Sequence, residues 1–127
     1  MKAVLLDTHA WAWSLTGDSR LSKKATTSMS RADKVLISPI SFFEIGQKVR
    51  LGKWPEMEPW IDKLVELVDE QGGSLAGLDP EVCLSAGTMS WLHRDPFDRI
   101  LATTAIQYCL PIISADSVFD GVVTRIW

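Results

Sequence analysis

The sequence predicts a three-layer α/β/α sandwich built on a mostly parallel sheet of about five strands. The first observation is an alternation along the chain. Short segments that are almost wholly apolar, as in strands covered on both faces, alternate with longer segments that carry apolar residues at helical spacing. The second observation is size, because 127 residues, 46% of them hydrophobic, suit one domain with an ordinary core. We therefore expect residues 1–127 to form a single domain.

The predicted strands are the short apolar segments. They cover residues 3–7, 34–38, 74–78, 111–114 and 122–127. Parallel strands need crossover connections, and helices usually supply them. The alternating order of strands and helices therefore favours a parallel sheet with helices on both faces.

The predicted helices are bounded by residues that favour helix ends. Ser22 and Ser38 are predicted caps, and Pro39 suits a first helical position. Gly72 and Gly73 end the amphipathic helix that precedes them. Asp-Pro pairs open the last two helices. The predicted helices cover residues 9–15, 22–32, 39–50, 58–71, 79–92 and 95–109.

Composition limits the location and the partners of the protein. No stretch approaches the roughly 18 apolar residues of a membrane span. The N-terminal MKAVLLD meets an Asp after four apolar residues, too few for a signal peptide, so we expect a cytoplasmic protein without a membrane partner. With a formal charge of −3, nucleic acid would have to be bound by a local basic patch or a bound cation. Cys83 and Cys109 are predicted to be reduced core residues.

Four acids fall where the carboxyl edge of the sheet is predicted. Asp7 follows the first strand directly, and Asp116 comes two residues after the fourth. Glu44 lies about a turn and a half into the helix that follows the second strand. Asp98 lies in the first turn of the helix that leads into the fourth strand, at the same edge. Since ligands bind beyond the carboxyl ends of such sheets, we expect these carboxylates to meet there.

Clustered carboxylates repel one another, and a divalent cation relieves the repulsion. Oxygen ligands without a His or Cys cluster favour a hard ion, Mg²⁺ or Mn²⁺. Such an ion suits phosphate chemistry, because it activates water and neutralises a phosphate group. The sequence therefore predicts a metal-dependent catalytic site with Asp7, Glu44, Asp98 and Asp116 as ligands.

Each acid also has a purely structural interpretation. Asp7 and Asp116 could cap the elements that follow them. Glu44 could form a surface pair with Lys48, and Asp98 could add favourable charge near a helix N-terminus. Capping alone does not require four acids at one edge of a sheet, so their joint position favours the site.

Four segments resemble a known family. LLDTHAWAW, SPISFFEIGQKVRLGK, HRDPFDRILATTA and IISAD occur in this order over nearly the whole chain. Together they resemble the PIN-domain ribonucleases, in particular the VapC toxins of toxin–antitoxin pairs. The resemblance implies a parallel-sheet sandwich, Mg²⁺- or Mn²⁺-dependent cleavage of RNA, a homodimer and a small cognate antitoxin.

The resemblance also assigns roles by position. Asp7, Glu44 and Asp98 match the three core acids of the family, and Asp116 matches a more variable fourth. The sequence has Ser-Ala-Asp at Asp116, where Thr-x-Asp is common in the family. Asp95 belongs to the motif of this subgroup, and we interpret it as a helix cap first and a ligand second.

Four more residues are candidates for supporting roles. Thr8 could hydrogen-bond a ligand carboxylate or a metal-bound water, or it could cap the first helix. Arg94, Arg99 and Lys48 are candidate contacts for RNA phosphate. The alternative for Arg99 is a neighbouring carboxylate or solvent, and that for Lys48 is a solvated helix end.

A receiver-type signalling module is the main alternative function. Receivers are also five-stranded α/β domains, in which strand-end acids and Mg²⁺ support aspartyl phosphorylation. They place a Lys late in the chain, whereas this sequence has none after Lys63, and no adjacent acidic pair follows the first strand. A haloacid-dehalogenase phosphatase would need an acid where His9 stands. An inactive interaction domain is a third alternative, which the intact set of acids disfavours.

Overall fold

The computed structural model describes residues 3–127 and contains a five-stranded sheet. Its strands are β1 (Ala3–Leu6), β2 (Lys34–Ile37), β3 (Ser74–Leu75), β4 (Ile112–Ile113) and β5 (Arg125–Ile126). The strand order is β3-β2-β1-β4-β5, and every neighbouring pair is parallel. The predicted α/β fold with a parallel sheet is confirmed.

Within residues 3–127 six α-helices connect the strands. They are α1 (Thr8–Thr16), α2 (Lys23–Arg31), α3 (Pro39–Arg50), α4 (Leu64–Glu70), α5 (Pro80–Thr88) and α6 (Pro96–Gln107). Of these, α4 and α5 are clearly shorter than predicted. The helix predicted over 58–71 is a 3₁₀ helix, Pro55–Lys63, followed by α4. Pro59 lies inside the 3₁₀ part, where its missing N–H and its ring disfavour a continuous α-helix. Across residues 3–127, no helix is both long and apolar enough to cross a membrane.

The register of the central strands aligns their carboxyl ends. Leu6 of β1 pairs with Ile37 of β2 and with Ile113 of β4. The residue after each of these strands therefore lies at the same edge of the sheet, namely Asp7, Ser38 and Ser114. The backbone N–H of Asp7 donates to the carbonyl of Ile113, at 3.1 Å, which extends the pairing to the first residue of the site.

The sheet separates two hydrophobic layers, as the alternation of side chains along β1 requires. Val4 and Leu6 pack into a cluster with Trp11 of α1 and Ile45 of α3. Leu5 points into the other cluster, which includes residues of α6 and the buried Phe119. Because helices cover the sheet on both faces, the site at its carboxyl edge rests on a rigid base.

The two cysteines are exposed, so their predicted place in the core is wrong. Cys83 lies in α5, and Cys109 lies just beyond the end of α6. The segments around them are apolar on average, but these two positions fall on the solvent side. Cys109 has a φ of +54°, the left-handed conformation that commonly ends a helix.

Candidate active site

The acids predicted from the sequence line one cleft beyond the carboxyl ends of β1 and β4. The cleft has a volume of about 470 Å³. Its acidic lining residues are Asp7, Glu44, Asp95, Asp98 and Asp116. The fold therefore brings together the four acids proposed as ligands, with Asp95 beside them.

Asp7 is the most buried aspartate of the cleft, with 8% of its surface exposed. It caps α1, because its Oδ1 accepts the N–H of Ala10 at 2.7 Å, and its Oδ2 accepts the hydroxyl of Ser114. Burial raises the pKa of Asp7 to about 6; the hydrogen bonds from Ser114 and Ala10 oppose this rise, and the charges of Asp98 and Glu44 add to it. Neither of these hydrogen-bond donors is charged, so the ionised carboxylate of Asp7 has no positive partner among them.

Ser114 was not predicted as a site residue, although it is the first residue of the Ser-Ala-Asp segment. Its hydroxyl donates to Asp7 and also accepts the backbone N–H of Asp116, at 3.0 Å. Asp116 itself is exposed and caps the short 3₁₀ turn Ser117–Phe119, with Oδ1 3.0 Å from the N of Val118. Ser114 thus links two acids of the cleft, and its position after β4 was the only signal in the sequence.

Glu44 is buried in α3 and forms an ion pair with Lys48. The Nζ of Lys48 lies 2.6 Å from Oε2 of Glu44. The interpretation of these residues as an i, i+4 pair is therefore confirmed, although the pair lies inside the cleft rather than on an open surface. With its ammonium held by Glu44, Lys48 is not a free cation for RNA phosphate.

Thr8 supports the site by a contact other than the ones predicted. Its Oγ1 lies 2.9 Å from Oγ of Ser41, and both hydroxyls are buried. The bond fixes the start of α1 to α3. Thr8 therefore neither hydrogen-bonds an acid nor caps α1, because Asp7 is the cap.

The segment before α6 orients Asp98. Asp95 caps the helix, and its Oδ1 accepts the N–H groups of Phe97 and Asp98, at 2.8 and 3.1 Å. Oδ2 of Asp98 lies 2.7 Å from Nε2 of His93. Burial raises the pKa of Asp98, His93 opposes the rise, and the charges of Asp95 and Glu44 add to it. His93 was missed because a spacing of five residues does not indicate a contact until the loop is folded.

Arg99 has a structural role that was not predicted from the sequence, since it binds neither a carboxylate nor solvent alone. Its guanidinium donates to four backbone carbonyls, those of Ala86, Met89, Trp91 and His93, at 2.6–2.8 Å. These carbonyls belong to the end of α5 and the loop after it, which explains why α5 stops at Thr88 and not at residue 92 as predicted. Arg94 is exposed but does not line the cleft.

A second wall of the cleft was not predicted from the sequence. It is formed by His9, Trp13 and Arg20. No pattern in the sequence groups these three residues, so they could not be identified in advance. Partial desolvation of the imidazole chiefly, and the nearby charge of Lys48, lower the pKa of His9, although part of the ring remains exposed. His9 is therefore a neutral aromatic ring at pH 7.

The chemistry of the donors fits a hydrated divalent ion. Among residues 3–127, no group of three or more His, Cys, Asp or Glu side chains is placed to hold a metal ion by itself. Glu44 and Asp98 are instead held by Lys48 and His93. An ion such as Mg²⁺ or Mn²⁺ keeps several of its waters and needs only one or two carboxylates directly. Asp7 forms no ion pair within residues 3–127, and its pKa is raised chiefly by burial, so a bound cation would favour its ionised form.

Comparison with known proteins identifies relatives over nearly the full chain. A family model described as PIN domain matches residues 4–123. Ribonuclease VapC22 of Mycobacterium tuberculosis is 29% identical over 120 residues, which cover 91% of this chain and 88% of the relative.

Solved structures share the fold at low sequence identity. A toxin–antitoxin complex from Klebsiella pneumoniae matches with a TM-score of 0.64 and 13% identity, over 98% of this chain and 96% of the other. VapBC2 from Rickettsia felis, bound to a promoter DNA fragment, matches with a TM-score of 0.67 and 12% identity, over 98% and 97%. The structure of FitAB bound to an IR36 DNA fragment matches with a TM-score of 0.62 and 18% identity, over 98% and 93%.

Proposed function

This chain belongs to the PIN domain family, and from that premise we propose that it is a divalent-metal-dependent endoribonuclease, the toxin of a toxin–antitoxin pair. The observation that carries the proposal is the single cleft lined by Asp7, Glu44, Asp98 and Asp116. RNA is the substrate class suggested by the ribonuclease that is 29% identical. The reaction is hydrolysis of a phosphodiester bond.

In this proposal Asp7, Glu44 and Asp98 would hold Mg²⁺ or Mn²⁺, some of them through its bound waters, and Asp116 would assist from the rim. The bound ion neutralises the phosphate and lowers the pKa of a water. The chain orients the carboxylates for this task. Ser114 and the N–H of Ala10 fix the two oxygens of Asp7, and His93 fixes one oxygen of Asp98.

Two side-chain contacts must adjust when an ion is bound. In the metal-free protein Lys48 forms an ion pair with Glu44, and His93 forms a hydrogen bond with Asp98. Acids that hold a divalent ion would no longer need these two partners. Lys48 would then be placed to contact the phosphate of RNA, the role predicted for it from the sequence.

We also propose a cytoplasmic protein that forms a homodimer and binds a small cognate antitoxin. The family resemblance supports the homodimer, and the solved toxin–antitoxin structures support the antitoxin. The mass of the purified chain in solution, alone and with the product of an adjacent reading frame, tests both partners.

The sheet topology argues against a receiver module. Receivers have the strand order 2-1-3-4-5, whereas this sheet has the order 3-2-1-4-5. The chain also lacks a late Lys. The topology and the composition thus disfavour aspartyl phosphorylation independently.

The decisive experiment is incubation of the purified protein with total RNA in Mn²⁺, in Mg²⁺ and in EDTA. Cleavage should require a metal ion and should be lost in Asp7→Asn. Asp79→Asn is the matched control, because Asp79 caps α5 as Asp7 caps α1 but lies outside the cleft. Cleavage by Asp7→Asn at the wild-type rate would reject the proposed site.

A further inference from the structure

We propose that His9, Trp13 and Arg20, here called the aromatic wall, form a nucleotide subsite for an unpaired residue of the RNA beside the scissile phosphate. The base stacks on the rings, and Arg20 contacts the adjacent phosphate. This inference rests on the proposed ribonuclease function and adds to it the position and the chemistry of a binding subsite.

Packing against other aromatic rings holds the rings of the aromatic wall in place. The imidazole of His9 stacks on Trp54, with 4.5 Å between ring centroids and an interplanar angle of 26°. Trp54 is only 8% exposed and packs in the core, whereas His9 is exposed. Trp54 covers one face of His9, so a base in the cleft would extend an existing stack.

Trp13 continues the wall next to His9. The two ring centroids are 5.7 Å apart, and Trp13 packs on Trp127 at 5.8 Å. Trp13 is half-buried and lines the same cleft as the acids. Rings that serve only the core are buried on all sides, whereas these rings present surface to a charged cleft.

Arg20 adds positive charge to the wall. Its Cζ lies 4.9 Å from the centroid of Trp13, and its side chain is 65% exposed. Asp18 holds its Nε and Nη2. Within residues 3–127, Nη1 of Arg20 has no hydrogen-bond partner, so this end of the fork is free for a phosphate oxygen.

This combination matches the needs of single-stranded RNA. Proteins recognise unpaired bases by stacking on aromatic rings and bind the backbone through cations. The chain has a net charge of −3 and an acidic cleft, which repel RNA. Stacking is insensitive to this repulsion, and it places the strand without requiring a particular base. The wall lies beside the acids, so a stacked nucleotide would set which phosphate reaches the metal.

The test is a double-mutant cycle between a side chain and a base. A cleavage site is first mapped on total RNA, and an RNA decamer that spans it is synthesised with an abasic residue at each position in turn. Affinity is measured in Mg²⁺ on the non-cleaving Asp7→Asn background, with and without His9→Ala. His9→Phe retains a ring, and Tyr108→Ala is the control for an exposed aromatic residue outside the cleft.

His9→Ala should weaken binding of the intact decamer by roughly 5- to 150-fold, the range for loss of one stacked base. His9→Phe should restore most of the affinity, and Tyr108→Ala should not change it. In the protein that retains His9, one abasic position next to the scissile phosphate should weaken binding as much as His9→Ala does. The same abasic position should cause no further loss of affinity when His9 is already replaced by Ala. In a separate series, Arg20→Gln should reduce the slope of log affinity against log salt by about 0.7.

The outcomes separate the two proposals. If total RNA is not cleaved in metal, the proposed function is wrong. If RNA is cleaved but the losses from His9→Ala and from every abasic position simply add, the stacking subsite is wrong and the ribonuclease remains. Unchanged affinity in His9→Ala would reject the subsite as well, and thermal unfolding of each variant confirms that it is folded.

Discussion

Nε2 of His93 lies 2.7 Å from Oδ2 of Asp98, so the first residue of the segment HRDPFDR binds an acid five positions later. Between them Asp95 caps α6. Arg99, the last residue of the segment, binds the carbonyl of His93 and three others nearby. The segment is therefore one structural unit, in which the ionisable residues start a helix, fix a loop and orient one carboxylate.

Arg99→Lys should destabilise the protein and lower its activity. Lysine cannot reproduce four donors in a planar fork, so several carbonyls lose their partner and His93 loses its anchor. We expect the free energy of unfolding to fall by about 2 kcal/mol or more in urea, since an unsatisfied buried polar group costs about 1–3 kcal/mol. kcat should fall as well. Arg94→Lys is the stability control, because Arg94 is exposed. Equal urea midpoints for the two variants would contradict this role of Arg99.

Asp7→Asn should stabilise the metal-free protein at neutral pH while it abolishes cleavage. The pKa of Asp7 is raised from 3.8 to about 6 in the folded state, so the fold favours the protonated form. This contribution to stability is complete below pH 4 and is lost as the pH rises to 6. Ionisation thus costs the fold up to about 3 kcal/mol at higher pH. Asparagine avoids the cost and can still cap α1.

The measurement for Asp7→Asn is urea unfolding in EDTA at pH 4 and pH 7.5. The variant should exceed wild type by about 1–3 kcal/mol at pH 7.5, and the difference should shrink toward pH 4. Asp79→Asn should instead be less stable than wild type at pH 7.5. The hydrogen bond from the hydroxyl of Tyr108 lowers the pKa of Asp79, so the fold favours the ionised form of this residue. A variant that is no more stable than wild type at pH 7.5 would show that ionised Asp7 is not destabilising.

Lys48→Met should lower the stability of the metal-free protein and raise its affinity for the metal ion. Removal of the ammonium leaves the buried carboxylate of Glu44 unpaired, at a cost of about 3 kcal/mol. Mn²⁺ should restore more stability in this variant than in wild type, because Glu44 no longer has a competing partner. Thermal unfolding over a series of Mn²⁺ concentrations measures the difference. Lys53→Met, at an exposed position, is the control. If Mn²⁺ stabilises Lys48→Met and wild type equally, Glu44 is not a metal ligand.

Asp95→Asn and Asp95→Ala should separate a cap from a metal ligand. Asparagine can accept the two N–H groups that Asp95 binds, so stability and cleavage should both be retained. Alanine should cost about 1 kcal/mol of stability, as the loss of a cap usually does. Urea unfolding and RNA cleavage are compared for both variants. A stable Asp95→Asn protein that does not cleave RNA would make Asp95 a ligand.

Residue patterns alone predicted most of the helices and strands, and the edge of the sheet at which the acids lie. Apolar segments predicted the strands, and because parallel strands end at one edge, the positions of Asp7 and Asp116 after β1 and β4 placed both acids in one cleft. The caps of α3, α5 and α6 also followed from local residue types. These features depend on neighbours in the chain, which the sequence displays directly.

The contacts between individual atoms could be identified only in the folded protein. Ser114 binds Asp7 across 107 positions, Arg99 binds the carbonyls of a loop, and both cysteines face solvent. The aromatic wall likewise arises where His9 of α1 meets Trp54, far along the chain. Hydrogen bonds and ring contacts act only over a few ångströms. Residues that are distant in sequence therefore acquire partners only when the packing of whole helices against the sheet fixes their separation.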